Sequence, residues 1–184
     1  HNINTDIIGE LMFIPGGSAI LITINENGDD TVTLSYSTAP DPALQPKIKL
    51  RYPTLSFKDE VLLNIYFEAS NLKGVVEMGL ITYGSEVSSW NINNAENVFS
   101  GYRFSQPNDL YVVSTGGIPA KNMADDLWFA IYAKLSDGTY AYSKLASYSP
   151  VTYATSQLKN STDTALKQLV VAMLNYGAEA QLFF

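Results

Sequence analysis

Hydrophobic and polar positions alternate along most of this chain, and near its end they switch to a helical rhythm. In Val61–Ala69, Leu63, Ile65 and Phe67 interleave with Asn64, Tyr66 and Glu68, the period-two pattern of a strand with one buried face. Lys47–Phe57, Val75–Tyr83 and the short Leu110–Ser114 read as further strands. Gly79, inside Val75–Tyr83, signals a bulge or a close backbone approach. Upstream, SAILITINENGDDTVTLSYS follows Gly16-Gly17 and predicts a hairpin. One strand surrounds Ala19 and Leu21, the other runs from Thr31 to Tyr36, and Asn27-Gly28 supplies a turn that tolerates positive φ. The first 14 residues show no clear element.

The strongest hairpin signal is DDLWFAIYAKLSDGTYAYSKLASYSP. Asp137-Gly138 reads as a two-residue turn, which sets Leu135 opposite Tyr140, Ala133 opposite Tyr142 and Ile131 opposite Lys144. The other face carries Trp128, Ala130 and Tyr132 against Ser143 and Leu145. Both faces are apolar, so a cover is expected on each side: a second sheet on one, the C-terminal helix on the other. Between strands, Gly84–Asn97 is polar, contains Trp90 and four asparagines, and reads as a long loop.

Two helices close the chain. Ser149 before Pro150 is an N-cap with proline at the first helical position, opening Val151–Leu158. Asn160–Asp163 caps a longer helix, with Asp163 at the positive end of its dipole. At 100° per residue, Leu166, Leu169, Val170, Met173, Tyr176, Gly177, Ala180 and Phe184 share an apolar arc of roughly 160°. Gln168, Asn175 and Glu179 lie opposite, with Val171 and Leu182 beside them as stray surface residues and Phe183 just outside the arc. Core packing is therefore assigned to Leu166, Leu169, Val170, Met173, Gly177 and Ala180, with Gly177 as a point of close approach. The expected fold is mainly β, with β-sandwich-like antiparallel sheets and two C-terminal α-helices packed on one sheet. APDPALQP, residues 39–46, has three prolines and marks a boundary. Residues 1–45 are read as an N-terminal β-hairpin arm with a proline-rich linker, and 46–184 as the sandwich domain with its helices.

Composition narrows the chemistry. The chain has 184 residues, 46% of them hydrophobic, enough for a sizeable core without disulfides. It has no cysteine, which excludes thiol nucleophiles and thiolate metal sites. Its one histidine is His1, which excludes serine–histidine and cysteine–histidine catalysis and histidine-based metal centres. Eleven basic residues against 18 acidic ones give a net charge of −7, so no basic stripe for nucleic acid can be assembled. No stretch approaches the ~20 apolar residues that span a bilayer. Starting at His1 and not at a methionine, the chain is expected to be a processed or excised piece.

A carboxylate pair for glycoside hydrolysis would come from Glu60, Glu68, Glu77 and Glu86, of which Glu68 and Glu77 are candidate cross-strand neighbours. Nothing in their spacing marks an active site. There is no phosphate loop, dinucleotide fingerprint or nucleophile elbow, and Gly116-Gly117-Ile118-Pro119 lacks a lysine partner. The chain is read as non-enzymatic and without a cofactor. Asn27, Asp29 and Asp30 form an oxygen-rich turn that is a candidate for Ca2+, as is Asp125-Asp126, although neither has EF-hand spacing. Aromatic residues make up 12% of the chain, and sugars bind by stacking on aromatic rings while amides and carboxylates take their hydroxyls. Tyr83, Trp90 and Tyr102, with Asn91, Asn93, Asn94 and Arg103, bring together that mixture. The alternative is that Trp90 plugs the sandwich and the tyrosines are ordinary strand residues.

YPTLSFKDEVLLNIYF, VVEMGLITY, GIPAKNMADDLWFAIYAKLSDGTYAYS and YSPVTYATSQLKN, together with the closing LKQLVVAMLNYGAEAQLFF, resemble a module of large secreted multi-domain surface proteins of anaerobic gut bacteria. The closing segment matches its Leu-Asn-Tyr-Gly-Ala-x-Ala-Gln-x-Phe pattern, and the resemblance covers about residues 48–184. It implies an extracellular, cell-surface location and a non-catalytic modular role, and it carries no site residue. The leading expectation is a structural, attachment or assembly module whose partners are other copies or neighbouring modules, joined through the N-terminal hairpin by strand addition. The alternatives are a carbohydrate-binding module using the loop aromatics, and a virion surface or fibre domain.

Overall fold

The computed structural model describes residues 18–26, 32–40, 45–57, 59–106 and 109–183, with backbone only for 18–26 and 32–40. The chain divides into two compact units, His1–Gln45 and Pro46–Phe184.

In the first unit, β1 (Ser18–Glu26) and β2 (Val32–Pro40) pair antiparallel in unbroken register from Ser18↔Pro40 to Glu26↔Val32. They form a sheet of two strands. The second strand runs further than the pattern predicts, through Ala39 and Pro40, into the stretch assigned to the linker. A proline is tolerated there because it sits at the end of an edge strand and owes the ladder no donor. The predicted turn, including Asn27, Asp29 and Asp30, lies outside the described residues.

The second unit contains β3 (Lys47–Ser56), β4 (Leu62–Ser70), β5 (Val75–Tyr83), β6 (Asn97–Ser100), β7 (Arg103–Ser105), β8 (Leu110–Ser114), β9 (Leu127–Leu135), β10 (Tyr140–Tyr142), β11 (Ala146–Tyr148), α1 (Pro150–Asn160) and α2 (Thr164–Phe183). One sheet has the order β3-β4-β8-β7; the other is β10-β9-β5-β6, with β11 also pairing β9. All pairings are antiparallel. Strand β3 accommodates Pro53 because it is an edge, and it bulges between Leu50 and Tyr52.

The alternation in β4 sends Leu63, Ile65 and Phe67 inward with Val113 of β8, against Met78 and Leu80 of β5 and Phe129, Ile131 and Ala133 of β9. The two sheets thus pack face to face as a sandwich. Burying each such large side chain stabilises the fold by about 1.5–3 kcal/mol. Alternate residues Ala130 and Tyr132 of β9, with Ile81 and Tyr83 of β5, face the other way into a second cluster. The hairpin is therefore covered on both sides, but the second cover is the 84–96 loop, through Val87, Trp90, Ile92 and Ala95. The C-terminal helix does not supply it. That helix packs on α1 and on the short 3-10 turn Ala120–Asn122, and α1 reaches β3. Together they join the main core through Met123, Ala154, Val170 and Met173.

The hairpin register is also one residue away from the expected one: Tyr140 pairs Lys134 and Tyr142 pairs Tyr132. The connection spans three residues, Ser136–Gly138, with Gly138 at φ +86° and Leu135 accepting from the Gly138 N–H. Ser136 and Asp137 turn the chain and Gly138 follows in the left-handed region, the usual three-residue solution.

Helix ends follow the sequence. The Ser149 hydroxyl accepts from the Thr152 N–H, and Pro150 stands at the first helical position. Asp163 caps α2 by accepting from the N–H groups of Ala165 and Leu166 at 2.9 and 3.1 Å. On α2 the buried residues are Val170, Met173, Gly177 and Ala180, with Leu166 partly buried. Leu169 departs from its assignment: it is 45% exposed, as Tyr176 is at 66%. The helix packs on a narrow turn and one neighbouring helix, so the buried stripe is narrower than the apolar arc. Phe184 lies outside the described residues.

Candidate functional site

The five residues expected to form a sugar platform are divided between the two sheets. Tyr83 is 2% exposed, and its hydroxyl is engaged inside the 84–96 loop. That hydroxyl accepts from the Asn91 N–H at 2.9 Å and lies 2.9 Å from Asn94 Oδ1 and 3.0 Å from the Asn91 carbonyl. Burial pushes its pKa up. The Trp90 indole N–H donates to the Ser143 carbonyl at 3.0 Å, and the Ile92 N–H donates to the Tyr142 hydroxyl at 3.1 Å. These bonds fasten the loop onto β10 and the segment that follows it. Tyr83 and Trp90 thus help close the second cluster, with Asn91 holding the Tyr83 hydroxyl. Tyr102 and Arg103 belong to the edge of the other sheet, where Tyr102 meets Tyr111 edge-on at 5.3 Å and Arg103 reaches toward the Ser114 hydroxyl at 3.5 Å. Across that outer face Arg103 pairs with Val112, Val112 with Tyr66, and Tyr66 with Tyr52. The last two rings stack at 4.9 Å.

The carboxylates are also apart. Glu68 is ion-paired with Arg51 on β3. Glu77 accepts from the Tyr132 hydroxyl at 2.5 Å. Glu68 and Glu77 cannot be cross-strand neighbours, because β4 and β5 belong to different sheets. Among the described residues no group of three or more His, Cys, Asp or Glu comes close enough to hold a metal ion. Nor is any helix among them long and apolar enough to cross a membrane.

Sequence reasoning missed a cleft of about 520 Å3 at the ends of β5 and β8, the starts of β6 and β9, and the first turn of α1. Its polar lining includes Glu96, Asn97, Asn122, Asp125 and Asp126; its apolar lining includes Phe99, Ile118 and Leu127. No lysine or arginine lines it. Asn122 donates to Asp125 at 2.7 Å and Asn97 to Thr82 at 3.3 Å. Glu96 and Asp126 are exposed. The residues come from five separate segments, so no local motif announced them; the sequence singled out only Asp125-Asp126 and Gly116-Gly117-Ile118-Pro119, and not for this site.

A second candidate feature is the hairpin of the first unit. Its strands bond only to one another among the described residues. The register places positions Ile20, Ile22 and Ile24 on one face with their partners Thr38, Tyr36 and Leu34; Ala19, Leu21, Thr23, Asn25, Thr33, Ser35, Ser37 and Ala39 share the other. Comparison of the chain with protein-family models, with curated proteins and with solved structures finds no match.

Proposed function

We propose that this chain is a non-catalytic module of an extracellular bacterial surface protein, serving attachment or assembly, and that its β1–β2 hairpin joins it to another copy or to a neighbouring module. The carrying observation is the hairpin's register. Nine paired positions put an isoleucine-rich face on a sheet that, among the described residues, has two strands. A two-stranded hairpin is marginal by itself in water, and one with an apolar face needs a cover. Its outer edges also offer backbone donors and acceptors, and adding a strand satisfies both needs at once. The surface location rests on the family resemblance and agrees with an acidic, cysteine-free composition.

Residues 46–184 form a compact unit with its own hydrophobic core. Sedimentation velocity on the full chain and on 46–184 tests the reading. The full chain associates as concentration rises and the shortened chain stays monomeric. Concentration-independent monomers in both samples overturn it.

A further inference from the structure

The cleft bordered by Glu96, Asp126 and Phe99 has no part in the hairpin's role, and its lining asks for a ligand of its own. We propose that it binds a neutral oligosaccharide.

Three observations support this choice. First, the volume of about 520 Å3 falls in the range of small-ligand sites, and polar groups converge on an apolar floor as such sites require. Second, the polar groups match hydroxyls. A sugar hydroxyl both donates and accepts; carboxylates only accept, and amides do both. Glu96, Asp125 and Asp126 supply acceptors, Asn97 and Asn122 supply amides, and Phe99 supplies an apolar ring for a pyranose C–H face. Among the described residues the Glu96 and Asp126 carboxylates have no hydrogen-bonding or ionic partner in the protein. With no cation in the lining, phosphorylated, sulfated and uronic ligands are repelled.

Third, the walls are kept bare. Gly84, Gly116 and Gly117 line the cleft, yet none has the positive φ found at Gly74, Gly101 and Gly138. Backbone conformation does not require glycine at these three positions, and each weakens the chain entropically. Space explains them. A Cβ at Gly116 would lie 3.2 Å from the Phe99 ring, and one at Gly84 3.2 Å from the Glu96 carboxylate. One at Gly117 would meet the Glu60 carboxylate at 2.7 Å. A side chain at Gly116 would crowd the ring, and one at Gly84 would crowd the Glu96 carboxylate that the cleft presents; Glu60 lies outside the lining.

The test is isothermal titration of the intact chain with soluble tetrasaccharides of β-glucan, xylan and mannan type. Asp126→Ala and Glu96→Ala serve as variants, with thermal melting to show that each is folded. At least one tetrasaccharide binds the wild type, and each variant weakens it about tenfold, the loss expected for one charge-assisted hydrogen bond. Trp90→Ala, away from the cleft, keeps the affinity. The proposal is overturned if no tetrasaccharide binds at millimolar concentration, if the acid variants bind as the wild type does, or if a lysine-rich peptide or Ca2+ binds and the sugars do not. None of these outcomes bears on the hairpin, so failure here leaves the assembly reading standing.

Discussion

Gly79 lies directly opposite Tyr132 in the β5–β9 pair, and the tyrosine ring lies across the space a side chain at 79 would fill. A Cβ there would fall 2.7 Å from both Cε1 and the hydroxyl of Tyr132, and closer still to the Phe99 carbonyl on β6. The glycine's missing side chain lets a fully buried tyrosine lie flat between the sheet and its loop cover. Gly79→Ala must displace either that ring or the β6 backbone. It is expected to cost about 1–3 kcal/mol, as overpacking does, read as a lower urea midpoint at an unchanged slope. Stability equal to wild type would mean that the ring does not occupy this position.

The same tyrosine makes the fold sensitive to alkali. Burial, followed by the hydrogen bond to Glu77, pushes the Tyr132 pKa from the ordinary 10.0 up to about 12. A phenol whose pKa is raised in the fold holds its proton more tightly folded than unfolded. Its contribution is therefore complete below pH 10 and is lost as the pH rises through about 12. Stability measured by urea titration should fall across this window, and the phenolate absorbance should retain a late-titrating component. Tyr132→Phe should flatten the fall and remove that component. It also leaves Glu77 with only Ser100, at 3.4 Å, costing about 1–2 kcal/mol at neutral pH.

Trp90 is a structural plug, and its removal should register in stability and not in ligand binding. The ring is half-buried over the second cluster, and its N–H holds the Ser143 carbonyl at 3.0 Å. Trp90→Ala should cost about 2–3 kcal/mol, less than the ~3–5 of a fully buried tryptophan. Trp90→Phe should recover most of the packing and lose about 1 kcal/mol for the hydrogen bond. Thermal melts of both variants check this; a loss confined to sugar affinity would return Trp90 to the binding surface.

What could be read from the sequence was whatever depends on near neighbours. The alternation of Leu63, Ile65 and Phe67 identified an inner face, the Ser149-Pro150 pair a helix start, and Asp163 the start of the next. What could not be read depends on which element lies across from which. The period of β9 showed two apolar faces but not that the 84–96 loop, in place of the helix, covers one of them. Asp137-Gly138 signalled a hairpin, but two- and three-residue turns share that dipeptide, and the register slipped by one. Strands β6 and β7 are too short for periodicity to register. The cleft was least legible, since Glu96, Asn122 and Asp126 become neighbours only when β5, β6 and β9 are in place.

The exposed side of α2 offers a direct check on where the helix packs. Val170 is fully buried in the main core while its neighbour Leu169 is 45% exposed. An apolar arc read from the sequence treats the two alike; the structure does not. Val170→Ala removes two methyl groups from a closed site and should cost about 1–3 kcal/mol. Leu169→Ala leaves the core untouched and introduces the best helix former, so its effect should stay within about 0.5 kcal/mol. Chemical unfolding of the two variants side by side decides the matter. Equal losses would require the helix to be rotated so that Leu169 also faces the core. That rotation would carry Gly177 away from the Ala120 carbonyl, which a Cβ on it would now approach to 3.2 Å.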